Sequence, residues 1–187
     1  MFAQWKTRDL IITAVLSVAL GILLIAWTVV YEGPGTALLT SLGANILYGV
    51  YFLPGILVPY IVRKPGAAVL ASVITAAVEL MGTQWGLPAI IYGLLQGLGA
   101  ELVFGSRGWK DYRLGILMIA ALASAAFGFV FEYWQYAYSQ LEPLIQVAYV
   151  ALRVPSAIIL AGWLGKALGD ALARTGVLRG MAITRKP

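Results

Sequence analysis

Two polar side chains interrupt one of the most apolar stretches of the sequence. Gln96 and Glu101 lie within residues 91–104, IYGLLQGLGAELVF, where every other residue is apolar, aromatic or glycine. In a soluble protein a helix would turn such residues toward water. At membrane depth a carboxylate or an amide is costly, and a residue of this kind marks a binding or transport site by default. The glycines between them, Gly97 and Gly99, favour close packing of neighbouring helices.

The sequence lacks the residues on which much enzyme and metal chemistry depends. It contains no cysteine and no histidine, which excludes disulfides, thiolate nucleophiles, histidine bases and the usual zinc sites. The Gly165-Lys166-Ala167 tripeptide resembles the end of a phosphate-binding loop, but Ala167 replaces the required Ser or Thr. We therefore expect no catalytic residues, no metal, no cofactor and no ATP site in this chain.

The composition is that of an integral membrane protein. Of 187 residues, 61% are hydrophobic and 11% are charged, against about 25% charged in soluble domains. A spanning helix needs about 20 apolar residues, and the apolar runs predict an all-α fold with six transmembrane helices in a single substrate-binding domain. The predicted helices cover residues 10–30, 36–62, 67–81, 87–104, 114–138 and 143–168. Pro54 and Pro59 predict a kink or a break in the second.

The basic residues predict the orientation of these helices. If the first nine residues are cytoplasmic and the helices alternate in direction, all 13 Lys and Arg residues except Arg153 fall in cytoplasmic segments. The outer turns then contain none, which is the positive-inside pattern. We expect a multi-pass protein of the plasma membrane with both termini in the cytoplasm. The net charge of +5 therefore reflects topology, and no nucleic-acid partner is expected.

Polar and aromatic residues converge in the outer half of the predicted bundle. Carboxylates stabilise a cation, and aromatic faces add about 0.5–2 kcal/mol of cation–π attraction. Amides hydrogen-bond polar heteroaromatic rings, so the predicted ligand is small, flat, and nitrogen-rich or cationic. The predicted substrate-binding residues are Asn45, Tyr48, Glu79, Trp85, Tyr92, Gln96, Glu132, Trp134 and Tyr136. The aromatic ones have a second interpretation, because Trp and Tyr also concentrate at membrane interfaces.

Arg153 lies about halfway through the sixth predicted helix and needs a partner. A lone arginine at the centre of a spanning helix costs about 2.5–3.5 kcal/mol or more. Glu101 and Glu132 are the two candidate partners. We assign a structural ion pair to Arg153 and Glu101, which leaves Gln96 as the group on helix four that faces the ligand.

The first helix carries a ridge of small residues. Thr13, Ser17 and Gly21 recur at intervals of four and lie on one face. A ridge of this kind docks another membrane helix, either in the same chain or in a partner protein. We assign it to partner contact, and the contact within the chain is the alternative.

Three motifs resemble the YkoE family. They are VRKPGAA at residues 62–68, QGLGAE at 96–101, and GWLGKALGD at 162–170 followed by TGVL at 175–178. The resemblance runs from about residue 44 to residue 181. YkoE proteins are substrate-binding S-components of energy-coupling factor (ECF) transporters and are associated with thiamin and its hydroxymethylpyrimidine precursor.

The resemblance implies a site that opens outward and a ligand that is thiamin or hydroxymethylpyrimidine. It also implies partners, namely a transmembrane coupling protein and two ABC ATPase subunits, with no cofactor in this chain. Gln96 and Glu101 are motif positions, and either of them is a candidate ligand contact. S-components typically meet their coupling protein through small residues on helix one, which supports the partner assignment of Thr13, Ser17 and Gly21.

Other classes of protein fit the same residues. A self-sufficient proton- or cation-coupled carrier would use Glu79, Glu101, Glu132 and Arg153 as a relay within the membrane. A structural subunit of a membrane assembly would bind no vitamin. An intramembrane enzyme is disfavoured, because the chain has no histidine, no cysteine and no carboxylate pair at a diagnostic spacing.

Overall fold

Helices and short connecting turns make up the described chain. The computed structural model describes residues 5–184, and within that range the fold is all-α, as predicted. Its helices are α1 Thr7–Val30, α2 Thr36–Gly43, α3 Pro54–Val62, α4 Ala67–Gly82, α5 Pro88–Ser106, α6 Leu114–Gln135, α7 Pro143–Ser156 and α8 Leu164–Arg174. Short π-helical segments follow α1 and α7, and a 3₁₀ segment, Ala44–Phe52, separates α2 from α3.

Prolines determine where several helices begin. Pro54, Pro88 and Pro143 each occupy the first position of their helix. A proline is favoured there because its missing N–H has no helical partner in any case and its φ angle is already helical. Gly66, at φ 81°, supplies the left-handed residue that precedes α4.

The helices are long and apolar enough to cross a bilayer. Among the described residues, four stretches meet this condition by length and composition, and they are Thr7–Val62, Pro88–Ser106, Leu114–Gln135 and Pro143–Arg174. Helix α4 is apolar but shorter, with 16 residues. The first stretch contains two of the predicted spans, because helical turns of different kinds connect α1 to α3. The six-span count remains a prediction.

The second predicted helix is broken directly before Pro54, whereas Pro59 lies inside the continuous helix α3. Pro54 cannot donate the hydrogen bond that would continue an α-helix into α3, and the chain takes 3₁₀ geometry over Ala44–Phe52 before α3 begins. Non-standard helical backbone at membrane depth is tolerated where it is buried in protein or lines a cavity. Here the 3₁₀ segment carries Asn45 and Tyr48, both predicted to lie at the site.

The segments predicted to be cytoplasmic meet at one end of the bundle. The Trp5 indole nitrogen donates to the Pro65 carbonyl at 3.1 Å, and Asp9 pairs with Lys64 at 3.5 Å. Leu178 and Met181 of the C-terminal tail are each 1% exposed and pack against the same end. Arg185 and Lys186, two of the predicted cytoplasmic charges, lie outside the described residues. The side of the membrane on which this end lies stays a prediction.

The small ridge of α1 packs inside the chain, so its assignment to partner contact is wrong. Thr13 and Ser17 are fully buried. The Ser17 carbonyl accepts a hydrogen bond from the Thr75 hydroxyl at 3.1 Å, and a Cβ at Gly21 would lie 2.6 Å from that of Val78. The ridge lets α1 approach α4 closely, which is the alternative that the sequence left open.

Helix α5 is held tightly between its neighbours, which confirms the packing role predicted for its glycines. A Cβ at Gly97 would lie 2.7 Å from the Val69 Cα in α4, and one at Gly99 would lie 2.5 Å from the Ala123 carbonyl oxygen in α6. Side chains are excluded at both positions. Because α5 is clamped on both sides, Gln96 is fixed relative to α4 and α6.

Candidate functional site

A cavity lies between the 3₁₀ segment and helices α4, α5 and α6. Seven of the nine predicted substrate-binding residues line it, and they are Tyr48, Glu79, Trp85, Tyr92, Gln96, Glu132 and Tyr136. They come from four separate parts of the chain, and each part was placed in the outer half of the bundle by its position along a predicted helix. Their predicted convergence is therefore found in the structure.

Several polar side chains in the cavity wall lack partners among the described residues, and they include Glu79, Gln96 and the hydroxyl of Tyr92. Glu79 is 9% exposed and Gln96 is 4% exposed, and neither side chain has a hydrogen-bond or ion-pair partner among residues 5–184. Leaving a buried polar group without a hydrogen-bond partner costs about 1–3 kcal/mol of stability, and leaving a charged group without one costs more. These groups line the cavity, so a ligand there can supply the missing partners.

Aromatic rings form much of the remaining wall. The Tyr48 ring contacts that of Tyr51 at a centroid distance of 5.0 Å and that of Tyr92 at 6.5 Å, the latter edge to face. Trp85, from the turn before α5, contacts Tyr136 edge to face at 6.2 Å. These rings offer flat apolar faces to a flat ligand, with polar groups at their edges.

Behind the wall lies a buried charge network centred on Arg153. Its guanidinium forms an ion pair with Glu132, and both residues are 2% exposed. The same guanidinium donates to the Asn45 Oδ1 atom from Nη2 at 2.8 Å and from Nε at 3.2 Å, and lies 4.0 Å from the Tyr48 ring centroid. The Tyr48 hydroxyl donates to the second oxygen of Glu132. The network therefore fixes two residues of the cavity wall, Tyr48 and Glu132.

The predicted ion pair of Arg153 with Glu101 is wrong, because Glu101 is used elsewhere. Its carboxylate accepts from the backbone N–H groups of Gly66 at 2.6 Å and Ala68 at 3.0 Å, and from the Trp109 indole at 2.5 Å. A carboxylate at the N-terminus of α4 satisfies free N–H groups and complements the helix dipole. Glu101 thus fastens α5 to the start of α4, and of the two motif positions it is Gln96 that lines the cavity.

Replacing Glu101 with leucine is expected to destabilise the protein without changing the cavity. The substitution leaves two backbone N–H groups and one indole N–H without their acceptor, at about 1–3 kcal/mol for each group that stays buried. Thermal unfolding in detergent would show a lower midpoint. Glu101→Gln keeps one acceptor oxygen, so its unfolding midpoint should lie between those of the natural chain and Glu101→Leu. Equal midpoints for all three proteins would contradict the role of Glu101 in fastening α5 to α4.

The structure also corrects two predicted ligand contacts. Asn45 is 1% exposed. Its amide nitrogen donates to the carbonyls of Ser41 and Leu42, both at 3.1 Å, and its amide oxygen accepts from Arg153. Trp134 is 76% exposed. It follows Glu132 by two residues, which turns it about 200° around α6 and away from the cavity. For Trp134 the interface interpretation stays a prediction.

Two further polar residues of the cavity wall, Ser72 and Thr75, were missed, and Tyr51 lines the cavity beside Tyr48. Ser72, Thr75 and Glu79 follow one another at intervals of three and four residues in an otherwise apolar helix, so they share one face of α4. That polar stripe was visible in the sequence and would have found the serine and the threonine.

The acidic groups do not form one chain through the membrane. Glu101 bonds the turn at Gly66, whereas Glu79 lies thirteen residues further along α4, about 20 Å away at 1.5 Å per residue. Glu132 and Arg153 are engaged with each other. This arrangement separates Glu101 from the other members of the relay expected for a self-sufficient carrier.

Fold and cavity together are those of a membrane protein with several apolar helices around a cavity lined by polar and aromatic side chains. Comparison with known proteins agrees. The family described as "ABC-type cobalt transport system, permease component" matches residues 8–126. Among the described residues no three His, Cys, Asp or Glu side chains are grouped so as to hold a metal ion.

Two individual proteins are similar over nearly their whole length. The "Putative HMP/thiamine permease protein YkoE" of Bacillus subtilis (strain 168) is 34% identical over 184 residues, which are 98% of this chain and 92% of the relative. A solved structure described as "Crystal structure of an S-component of ECF transporter" superimposes with a TM-score of 0.91 at 35% identity. The match covers 97% of this chain and 92% of that one. The chain belongs to the YkoE family and has the fold of an ECF S-component.

Proposed function

We propose that this chain is the S-component that captures thiamin or hydroxymethylpyrimidine from outside the cell. ATP-driven uptake would then be carried out with a transmembrane coupling protein and two ABC ATPase subunits. The name of the Bacillus relative and the S-component structure support the ligand class and the transporter class. The chain acts as a single domain in the plasma membrane, with six spans and both termini in the cytoplasm.

The observation that carries the proposal is the pair of unpartnered polar side chains in an aromatic cavity. Both candidate ligands contain an aminopyrimidine ring, which presents an amine donor and ring nitrogen acceptors in one plane. The Glu79 carboxylate accepts hydrogen bonds, and the Gln96 amide both donates and accepts. The rings of Tyr48, Tyr92 and Trp85 supply stacking surface for the same flat ligand.

The other functional residues act through position rather than contact. Arg153 and Asn45 hold Glu132 and Tyr48 in place. Binding involves no covalent step, so capture depends on shape, hydrogen bonding and charge. Transport follows when the partner ATPases drive reorientation of the whole subunit in the bilayer.

The proposal is tested by titrating the purified protein with thiamin and with hydroxymethylpyrimidine while following tryptophan fluorescence. Trp85 lines the cavity, so occupancy should change its emission. Trp85→Phe should abolish most of the signal while calorimetry still detects binding. No binding of either compound by calorimetry, up to millimolar concentration, would refute the proposed ligand class.

Gln96→Leu is expected to weaken binding of the preferred compound by about 5–150-fold. Leucine fills a similar volume but leaves the polar edge of the ligand without partners, which corresponds to about 1–3 kcal/mol. Gln135→Leu is the matched control, because Gln135 is exposed at the end of α6 and lies outside the cavity wall. Equal dissociation constants for the two variants would exclude Gln96 from the binding site.

Reconstitution in liposomes separates the proposal from a self-sufficient carrier. The chain alone should bind the compound and accumulate none inside the vesicles, with or without a proton gradient. Uptake should require the coupling protein, the two ATPase subunits and ATP. Accumulation by the chain alone would support the carrier instead.

A further inference from the structure

Three ionisable groups determine the charge of the cavity. Glu79 and Glu132 belong to its wall, and Arg153 lies directly behind Glu132. Within residues 5–184, no lysine or arginine side chain lines the cavity itself. Any charge preference of the site must therefore arise from these groups and from how far they cancel one another.

The opposite charges of Glu132 and Arg153 cancel each other. The two side chains are in direct contact, and each residue is 2% exposed. Asn45 and the Tyr48 ring occupy the remaining faces of the guanidinium, so Arg153 has no free face toward the cavity. A contact pair of opposite charges acts on a third group mainly as a dipole, and its effect falls off faster with distance than that of a single charge.

Glu79 has no such partner. It is 9% exposed and has no cation within reach among the described residues. The nearby Glu32 is half-buried, lies outside the cavity wall and accepts two hydrogen bonds from the Gln84 amide at 2.9 Å. Solvent and salt screen a charge at such a position. A buried carboxylate without a counter-ion is unfavourable, and a cation in the cavity relieves it.

We propose that Glu79 alone determines which ligand charge the cavity prefers, because the ion pair with Arg153 cancels the charge of Glu132. The inference rests on the proposed function and adds the charge class of the substrate. The site accepts cationic and neutral pyrimidine alcohols and excludes their anionic phosphate esters. A phosphate group would meet one uncompensated negative charge and no basic side chain in the wall.

The test measures ratios of dissociation constants, which are insensitive to a general loss of affinity. Calorimetric titrations of the full chain use thiamin, which carries a permanent cation, neutral hydroxymethylpyrimidine, and hydroxymethylpyrimidine phosphate. The proteins compared are the natural chain, Glu79→Gln, Arg153→Gln, and the double variant Glu132→Gln/Arg153→Gln. The double variant removes the pair but leaves the net charge of the cavity unchanged.

In the natural chain the phosphate ester should bind at least about tenfold more weakly than the alcohol. Glu79→Gln should reduce both that discrimination and the preference for thiamin over hydroxymethylpyrimidine by about tenfold. Arg153→Gln exposes the charge of Glu132 and should raise the preference for thiamin, and the double variant should return it to the natural value. If Glu79→Gln binds too weakly to titrate, or Arg153→Gln fails to fold, comparison of the double variant with the natural chain still tests whether the Glu132–Arg153 pair affects the charge preference.

Unchanged ratios in Glu79→Gln would overturn the inference, because exclusion of the ester would then depend on size. A double variant whose thiamin preference differs from that of the natural chain would also overturn it, since the Glu132–Arg153 pair would then contribute to the charge preference. Both results leave the proposed function standing. Failure of the natural chain to bind thiamin and hydroxymethylpyrimidine would instead refute the proposed function, and this inference with it.

Discussion

Replacing Arg153 with glutamine is expected to lower the free energy of unfolding by about 3–5 kcal/mol, the usual loss when one partner of a buried ion pair is removed. The variant leaves Glu132 buried with no counter-ion and deprives Asn45 of both its donors. It also removes the cation from the face of Tyr48. Unfolding in detergent, followed by circular dichroism, would measure the loss.

Two comparisons make this result specific. The double variant Glu132→Gln/Arg153→Gln should recover much of the lost stability, because no uncompensated charge remains buried. Arg113→Ala removes an arginine whose side chain is 84% exposed in its pair with Asp111, and should leave the midpoint unchanged. A double variant less stable than Arg153→Gln would contradict the account of the pair.

Gly49→Ala is expected to produce the second large effect. A Cβ at Gly49 would lie 2.1 Å from the Ser156 carbonyl oxygen, so the backbone must move apart where the 3₁₀ segment crosses the end of α7. Overpacking of this kind typically costs about 1–3 kcal/mol and occasionally more. It would also disturb the hydrogen bond from the Gly49 N–H to the Ser156 hydroxyl, at 2.7 Å.

The same variant should weaken ligand binding, because Tyr48 and Tyr51 flank Gly49 and both line the cavity. Gly115→Ala is the matched control. Gly115 lies in the first turn of α6 with nothing within 4 Å of an added Cβ, so alanine should be neutral or stabilise the helix by up to about 1 kcal/mol. Gly49→Ala with the stability and affinity of Gly115→Ala would refute the proposed crossing.

The fold was largely predictable because the membrane imposes a simple rule. A segment that crosses lipid must be apolar and must satisfy its own backbone hydrogen bonds, so the apolar runs of the sequence indicate helices directly. Of the two prolines expected to kink or break the second predicted helix, Pro54 follows the break between α2 and α3, while Pro59 lies inside α3. The 3₁₀ geometry of the break depends on the helices packed against it and could not be read from the residues alone.

The sequence predicted how deep each site residue lies in the membrane, but not which face of its helix points toward the cavity. Position along a helix placed Glu79 and Glu132 near the outer ends of their helices and Gln96 near mid-depth, so that all three were expected to converge in the outer half. Which face of a helix meets the cavity depends on packing, and for that reason Trp134 was misplaced while the stripe from Ser72 to Glu79 was overlooked.

The partner of a buried charge is equally a question of packing. Arg153 had two acidic candidates in the sequence, and the choice between them depended on an interaction with no residue signature. The N–H groups at the start of α4 occupy Glu101. Backbone donors compete for carboxylates as strongly as side chains do, and sequence patterns do not display them.

Determining the structure of the protein with bound thiamin or hydroxymethylpyrimidine would test the central claim most directly. We expect the aminopyrimidine ring between the aromatic side chains of the cavity, with its polar edge within hydrogen-bond distance of Glu79 and Gln96. Arg153 should remain paired with Glu132 behind Tyr48. A ligand bound elsewhere on the chain, or one in the cavity that leaves both Glu79 and Gln96 without a polar contact, would contradict the account.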